Sequence, residues 1–133
     1  ATTDWKRRAA KQVIQQQVDS LLLVQPNAKI VVMGDMNSTP TNDLHGLHNT
    51  MIAFEQLGQG THKYQGIWSC LDQFYVSSSL ASCAQATIFS PDWLLEGDAK
   101  YLGHQPHRTD IGYRYDGGYS DHLPIVLRIS CRR

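Results

Sequence analysis

The chain has 133 residues, the length of one ordinary domain, and a hydrophobic fraction of 41% that can supply a core. Twelve basic residues balance twelve acidic ones, so no long-range field draws the chain toward nucleic acid or an anionic membrane, although a local basic patch is compatible with a neutral total. No stretch approaches the roughly 20 apolar residues of a membrane span, and the start, Ala1 to Arg8, has no apolar leader core, which leaves open one already removed.

Thr3 or Asp4 is placed to cap a helix, and Asp4 suits its positive end. From Trp5 to Leu23 the residues Ala10, Val13, Ile14, Val18, Leu21 and Leu22 form a helical stripe, stopped by Pro26 and Asn27. The cluster Lys6, Arg7, Arg8 and Lys11 reads as a solvated face. The apolar run Lys29–Met33 has no alternation, the pattern of a strand covered on both faces. Gly34 ends it, and Asp35 sits just past its carboxyl end, where open α/β sheets place ligands. Short helices are expected between Asp43 and Leu57, broken at Gly46 and closed by Gly58 and Gly60. Strands are expected at Thr61–Tyr64, Ser69–Val76, Cys83–Phe89 and Ile125–Cys131, joined closely enough to be antiparallel neighbours. The stretch from Glu96 to Tyr119 has little periodicity and reads as a long functional loop. Cys70, Cys83 and Cys131 are odd in number and lack metal-type spacing. Three buried thiols are expected, with one disulfide and one free thiol as the alternative, so the compartment stays open.

Three short motifs carry chemistry: Gly34-Asp35-Met36-Asn37, Trp68-Ser69-Cys70-Leu71-Asp72-Gln73 and Ser120-Asp121-His122-Leu123-Pro124. Hydrolysis of a phosphate ester needs a hard cation held by carboxylates, a group that orients water, and donors for the charge developing on phosphorus. Asp35, Asp72 and Asp121 offer carboxylates, Asn37 a neutral donor, and His122 a cationic donor kept protonated by a nearby carboxylate. Each has a bland reading. An Asp after a strand is commonly a turn residue, and Asp121 can cap a turn. Asp72 within a strand needs a partner, because a buried unpaired carboxylate is expensive, and His122 suits that role.

In this order the motifs resemble the C-terminal half of the endonuclease/exonuclease/phosphatase superfamily, with its deoxyribonuclease I-like fold, over essentially the whole chain. The segments Gly60–Tyr64, Leu94–Tyr101, Arg108-Thr109 and Gly117-Gly118 are similar to a subgroup common in Bacteroidetes-type bacteria. The resemblance implies an α/β fold: half of a four-layer sandwich, with a mixed, mostly antiparallel sheet and a covering helix. It implies that Asp35 orients or deprotonates the attacking water, Asn37 hydrogen-bonds the scissile phosphate, Asp121 ligates Mg²⁺ or Mn²⁺, His122 stabilises the transition state, and Asp72 orients His122. Family members are about twice this length, and their first half supplies a metal-binding glutamate and other site residues. The expectation is therefore one C-terminal portion of a domain, inactive alone. Its exposed sheet is to be covered by a separate N-terminal half or by self-association.

Other candidates are weaker. His62, Lys63 and Tyr64 sit where a substrate-facing loop is expected, with Lys63 as a point charge for phosphate. Arg108 and Arg114 suit an anionic substrate, whereas His104 and His107 read as solvated. His45 and His48, three apart on an expected helix, lack a third ligand for a metal. Trp68 reads as core. The expected activity is metal-dependent hydrolysis of a phosphoester in nucleic acid, a phospholipid head group or a small molecule, and the neutral charge leans away from a processive nuclease. The alternative is a non-catalytic interaction module that keeps the fold. A serine hydrolase built on Ser120, His122 and Asp72 is disfavoured, because Ser120 lacks a nucleophile elbow.

Overall fold

A computed structural model describes residues 3–132; Ala1 and Thr2, which open the segment read for a leader, lie outside it. The first helix, α1, runs from Asp4 to Val24. Ile14, Val18 and Leu22 recur every four residues, and that spacing points them to one core. The buried stripe is narrower than the sequence pattern, since Val13 and Leu21 are exposed. No side-chain cap forms at the start of α1. Instead the Thr3 carbonyl accepts the amides of Lys6 and Arg7, and the Arg7 guanidinium pairs with Asp4.

The strand expected at Lys29–Met33 forms slightly later, as β1 (Val31–Asp35), but it is an edge strand, half-buried at Val31 and Val32 and exposed from Met33 on, rather than covered on both faces. It pairs antiparallel with β5 (Asp72–Ser77), and β5 pairs on its other side with β2 (Leu47–Asn49), giving the order β1-β5-β2. The expected Asp43–Leu57 helices are thus only partly present: Leu47–Asn49 is a strand, and one short helix, α2, covers Ile52–Gln56. Strand β5 is buried from Gln73 to Ser77 because both its faces are covered. On one face Tyr75 packs with Val18, Leu44 and Leu47 under α1. On the other, Phe74 packs with Met51, Cys70 and Ala86, backed by Ile88, Ile125 and Leu127. Each fully buried Val, Leu, Phe or Met among them contributes roughly 1.5–3 kcal/mol of burial. The last four apolar residues come from a two-stranded ribbon of β6 (Ala84–Ile88) and β11 (Ile125–Ile129), reached from β5 through the short helix α3 (Ser78–Ala81).

The remaining strands form small antiparallel ribbons. These are β3 (His62–Tyr64) with β4 (Ile67–Ser69), β7 (Leu95–Gly97) with β8 (His104–Pro106), and β9 (Asp110–Ile111) with β10 (Arg114–Tyr115). The stretch read as a long loop is therefore two tight ribbons; its strands are too short to show a period in the sequence. Every strand pair among the described residues is antiparallel, so the mostly antiparallel pairing expected is present there without the parallel part of a mixed sheet. Cys83 and Cys131 are joined by a disulfide and Cys70 is a buried free thiol, which replaces the expectation of three thiols. No helix among the described residues is long and apolar enough to cross a membrane.

Candidate active site

The register of β1 against β5 sets Asp35 directly opposite Asp72, at the carboxyl end of β1. A second contact brings in the chain's last motif: the Thr61 carbonyl accepts the Leu123 amide at 2.7 Å, and His62 forms a single bridge with His122. Gly60 makes this possible, because a Cβ there would collide with the Ser69 backbone across the β3–β4 ribbon. As a result His122 Nδ1 stands 2.6 Å from Asp72 Oδ2, and Asp35, Asp72 and His122 gather their polar atoms within 4.8 Å. The His62 and His122 rings lie 4.9 Å apart, and His62 Nε2 is 4.0 Å from Asp121 Oδ2. Asp35 and Asp121 are exposed, while Asp72, His122 and His62 are half-buried.

Asn37 follows in a left-handed turn (φ 50°), a conformation asparagine tolerates better than most residues. Its amide donates to Asp35 Oδ1 at 2.9 Å, which holds one carboxylate oxygen and leaves the carboxamide of Asn37 at the surface.

The two histidines are driven apart in charge. Burial pushes His122 toward the neutral form, but the hydrogen bond and charge of Asp72, with Asp121 and Asp35 beyond, outweigh it and raise its pKa. Burial lowers the pKa of His62, and the neighbouring His122 and Arg108 lower it further against Asp121 and Asp35. Two neighbouring imidazoles thus have pKa values shifted in opposite directions, each by its surroundings.

The model of the Endonuclease/Exonuclease/phosphatase family matches residues 2–131. The chain belongs to that family. No curated protein and no solved structure matches it. Members of the endonuclease/exonuclease/phosphatase family are hydrolases acting on phosphoesters, typically with divalent metals. The donors of this family member suit such an ion: Asp121 is an exposed carboxylate, and the imidazole of His62 stands beside it with its pKa lowered, which favours the unprotonated form a ligand needs. His122 is the poorer ligand, since Asp72 raises its pKa and so favours the form in which Nε2 carries a proton.

Of the weaker candidates, His62 and Arg108 lie at this cluster. The Arg108 guanidinium donates to the Lys63 carbonyl at 3.4 Å and lines a recess with Tyr119, Ser120 and Asp121. Lys63, proposed from the sequence as a point charge for phosphate, is turned away from this cluster. Its ammonium is buried against Asp98 (2.8 Å) and also donates to the carbonyls of Leu102 and His104, which uses all its protons. Alternation in β3 decides this, because His62 and Lys63 must point to opposite faces. Trp68 is half-buried rather than core, with the Lys63 ammonium 5.9 Å from its ring centre. His45 and His48 do not share a helix, and neither joins a group of metal-ligating side chains among the described residues. His104 is exposed, as expected, but His107 is half-buried between two carboxylates.

Sequence reading missed Gln73 and Asn49. Both are buried, and Asn49 Nδ2 donates to Gln73 Oε1 at 2.9 Å. Gln73 Nε2 donates to the carbonyls of Ser38 (2.6 Å) and Cys70 (2.9 Å), so this pair fixes the strand ends that carry Asn37 and Asp72. The available signal was a glutamine beside Asp72 in an otherwise apolar strand.

Proposed function

We propose that this site hydrolyses phosphodiester or phosphomonoester bonds by in-line attack of water. The observation that supports this most is the meeting of Asp35, Asp72 and His122 through the β1–β5 register, with Asp121 alongside. In this reading Asp35 orients the water and takes its proton, using the oxygen not bound by the Asn37 amide. The Asn37 carboxamide holds a phosphoryl oxygen. His122, fixed through Nδ1 by Asp72, donates from Nε2 to the charge developing on phosphorus. Asp121 and His62 would hold Mg²⁺ or Mn²⁺, which when bound supplies Lewis-acid stabilisation of phosphoryl oxygens. Arg108, in the recess beside Asp121, adds a fixed positive charge for an anionic substrate.

We also propose that a further half of a four-layer sandwich completes the site. Met33 on the edge strand β1 is 70% exposed, and Leu23 and Val24 of α1 are 85% and 86% exposed. Met33 lies two residues before Asp35, and exposed apolar surface of this kind suits a second protein layer.

The test is hydrolysis of bis-p-nitrophenyl phosphate with Mg²⁺, Mn²⁺ or a chelator, by this chain and by a longer chain containing it. His122→Ala should lower metal-dependent turnover by about 10²-fold or more. Absence of turnover in both forms, together with no Mn²⁺ binding in a spin-resonance titration, would overturn the proposal.

A further inference from the structure

Away from the catalytic cluster, the two ribbons of residues 95–119 bring three ligand-bearing side chains to one point. Glu96 lies in β7, His107 follows β8, and Asp116 follows β10. His107 Nε2 stands 3.5 Å from Glu96 Oε2 and 3.6 Å from Asp116 Oδ2. These separations are too long for good hydrogen bonds. They are close to the ligand-to-ligand edge of a tetrahedral metal site, roughly 3.3–3.4 Å for bonds of about 2.0–2.1 Å. Asp116 Oδ2 is buried and has no hydrogen-bond partner. A buried carboxylate oxygen without a donor carries a desolvation cost that a cation would relieve. Arg114 does not supply that relief, since it reaches only the other oxygen, Oδ1, at 3.5 Å.

We propose that Glu96, His107 and Asp116 form a second cation site, which takes a borderline divalent ion of the Zn²⁺ class. One imidazole nitrogen and two carboxylate oxygens suit such an ion, and Zn²⁺ stands high in affinity for mixed nitrogen and oxygen donors. The supporting contacts are those a metal site needs. Gln105 Nε2 donates to Glu96 Oε1 at 3.0 Å and so leaves Oε2 to face the ring. The His107 amide is held by the Leu94 carbonyl and the Asp116 amide by the Thr109 carbonyl. Gly118 lies so close that a Cβ there would strike the His107 carbonyl, and this brings the two ribbons together.

The competing occupant is a proton. His107 Nε2 lies 3.0 Å from the Asp116 carbonyl oxygen and can donate to it when protonated. An imidazolium would offset one of the two carboxylate charges, and a divalent ion with a neutral ring would offset both. The role assigned to the ion is to staple the ribbons. The His107 carbonyl accepts the amides of Tyr119 and Ser120, so the staple holds the backbone that leads into Asp121 and His122.

Co²⁺ titrated into the metal-free chain is the direct probe, because tetrahedral cobalt absorbs in the visible and octahedral cobalt hardly does. The wild type and Asp121→Asn should both develop the tetrahedral band. Glu96→Gln, which keeps the side chain's size, and His107→Ala should bind Co²⁺ at least tenfold more weakly and lose the band. Zn²⁺ should raise the Tm of the wild type and of Asp121→Asn, and should leave Glu96→Gln unmoved. Circular dichroism establishes that each variant is folded. The proposal fails if the folded wild type shows no band, or if Glu96→Gln retains it. A Tm that falls in His107→Ala while no form responds to Zn²⁺ would assign the cluster to the proton instead.

Discussion

Asp72 and His122 are fifty residues apart in sequence, and their 2.6 Å contact is the most consequential single interaction of the site. Burial is the largest influence on His122, and Asp72 is what reverses its direction. Asp72→Asn should therefore lower the His122 pKa, which an NMR titration of the ring protons reads directly; an unchanged value would sink the charge assignment. Because the folded-state pKa is raised above the ordinary value of about 6.5, the pair's contribution to stability is complete below that pH. It is lost as pH rises through the raised value. Lys63 calls for the opposite experiment. The Lys63 hydrogen bond and the Tyr101 amide, followed by the Lys63 charge, hold the Asp98 carboxyl below its usual range against burial. That contribution is present above about pH 3.9 and is lost as pH falls through the depressed value. Lys63→Met should lower the Tm by several degrees in calorimetry, because it leaves the Asp98 carboxylate buried without its partner; an unchanged Tm would show that the pair does not hold the fold. Sequence alone could not reveal this pairing, since Asp98 lies 35 residues beyond Lys63 and no local pattern links them. Asp35, Asn37, Asp121 and His122 were legible because each sits in a short motif at a strand end.

At the level of elements, α1 is placed by more than its apolar stripe. Gln15 both donates to the His45 carbonyl (3.0 Å) and accepts the His45 amide (2.7 Å), and Lys11 pairs with Asp43. Leu44 lies between these contacts, 2% exposed, and bridges the helix to Tyr75 of β5. Leu44→Ala should cost about 2–5 kcal/mol in urea denaturation; a loss below about 1 kcal/mol would show that α1 docks chiefly through its polar contacts. The helix and the strands with continuous apolar runs were readable from periodicity. Strand β2 and the ribbons of residues 95–119 were not, because a strand of two or three residues is set by its partner rather than by its own pattern. Gln15 illustrates the same limit, since it reads as an ordinary polar-face residue until His45 is folded against it.

Across the whole molecule, the α1 layer, the β1-β5-β2 sheet and the β6–β11 ribbon share β5 as their common buried strand. The Cys83–Cys131 disulfide closes the ribbon, joining the residue before β6 to the residue two beyond β11 across a separation of 48 residues. In the chain-entropy picture a loop of that length is worth about 4 kcal/mol, so reduction should lower the Tm markedly, and calorimetry with and without reductant measures it. An equal Tm in both conditions would mean that the ribbon's packing holds its ends unaided. The bridge also turns residues 83–131 into a covalent ring that contains the exposed 109–115 turn as well as Asp121 and His122. A protease that cuts that turn opens the ring but releases nothing. The nicked chain would migrate as one species on a non-reducing gel and as two after reduction, with both halves of the severed ribbon still tethered to the strand that carries Asp72.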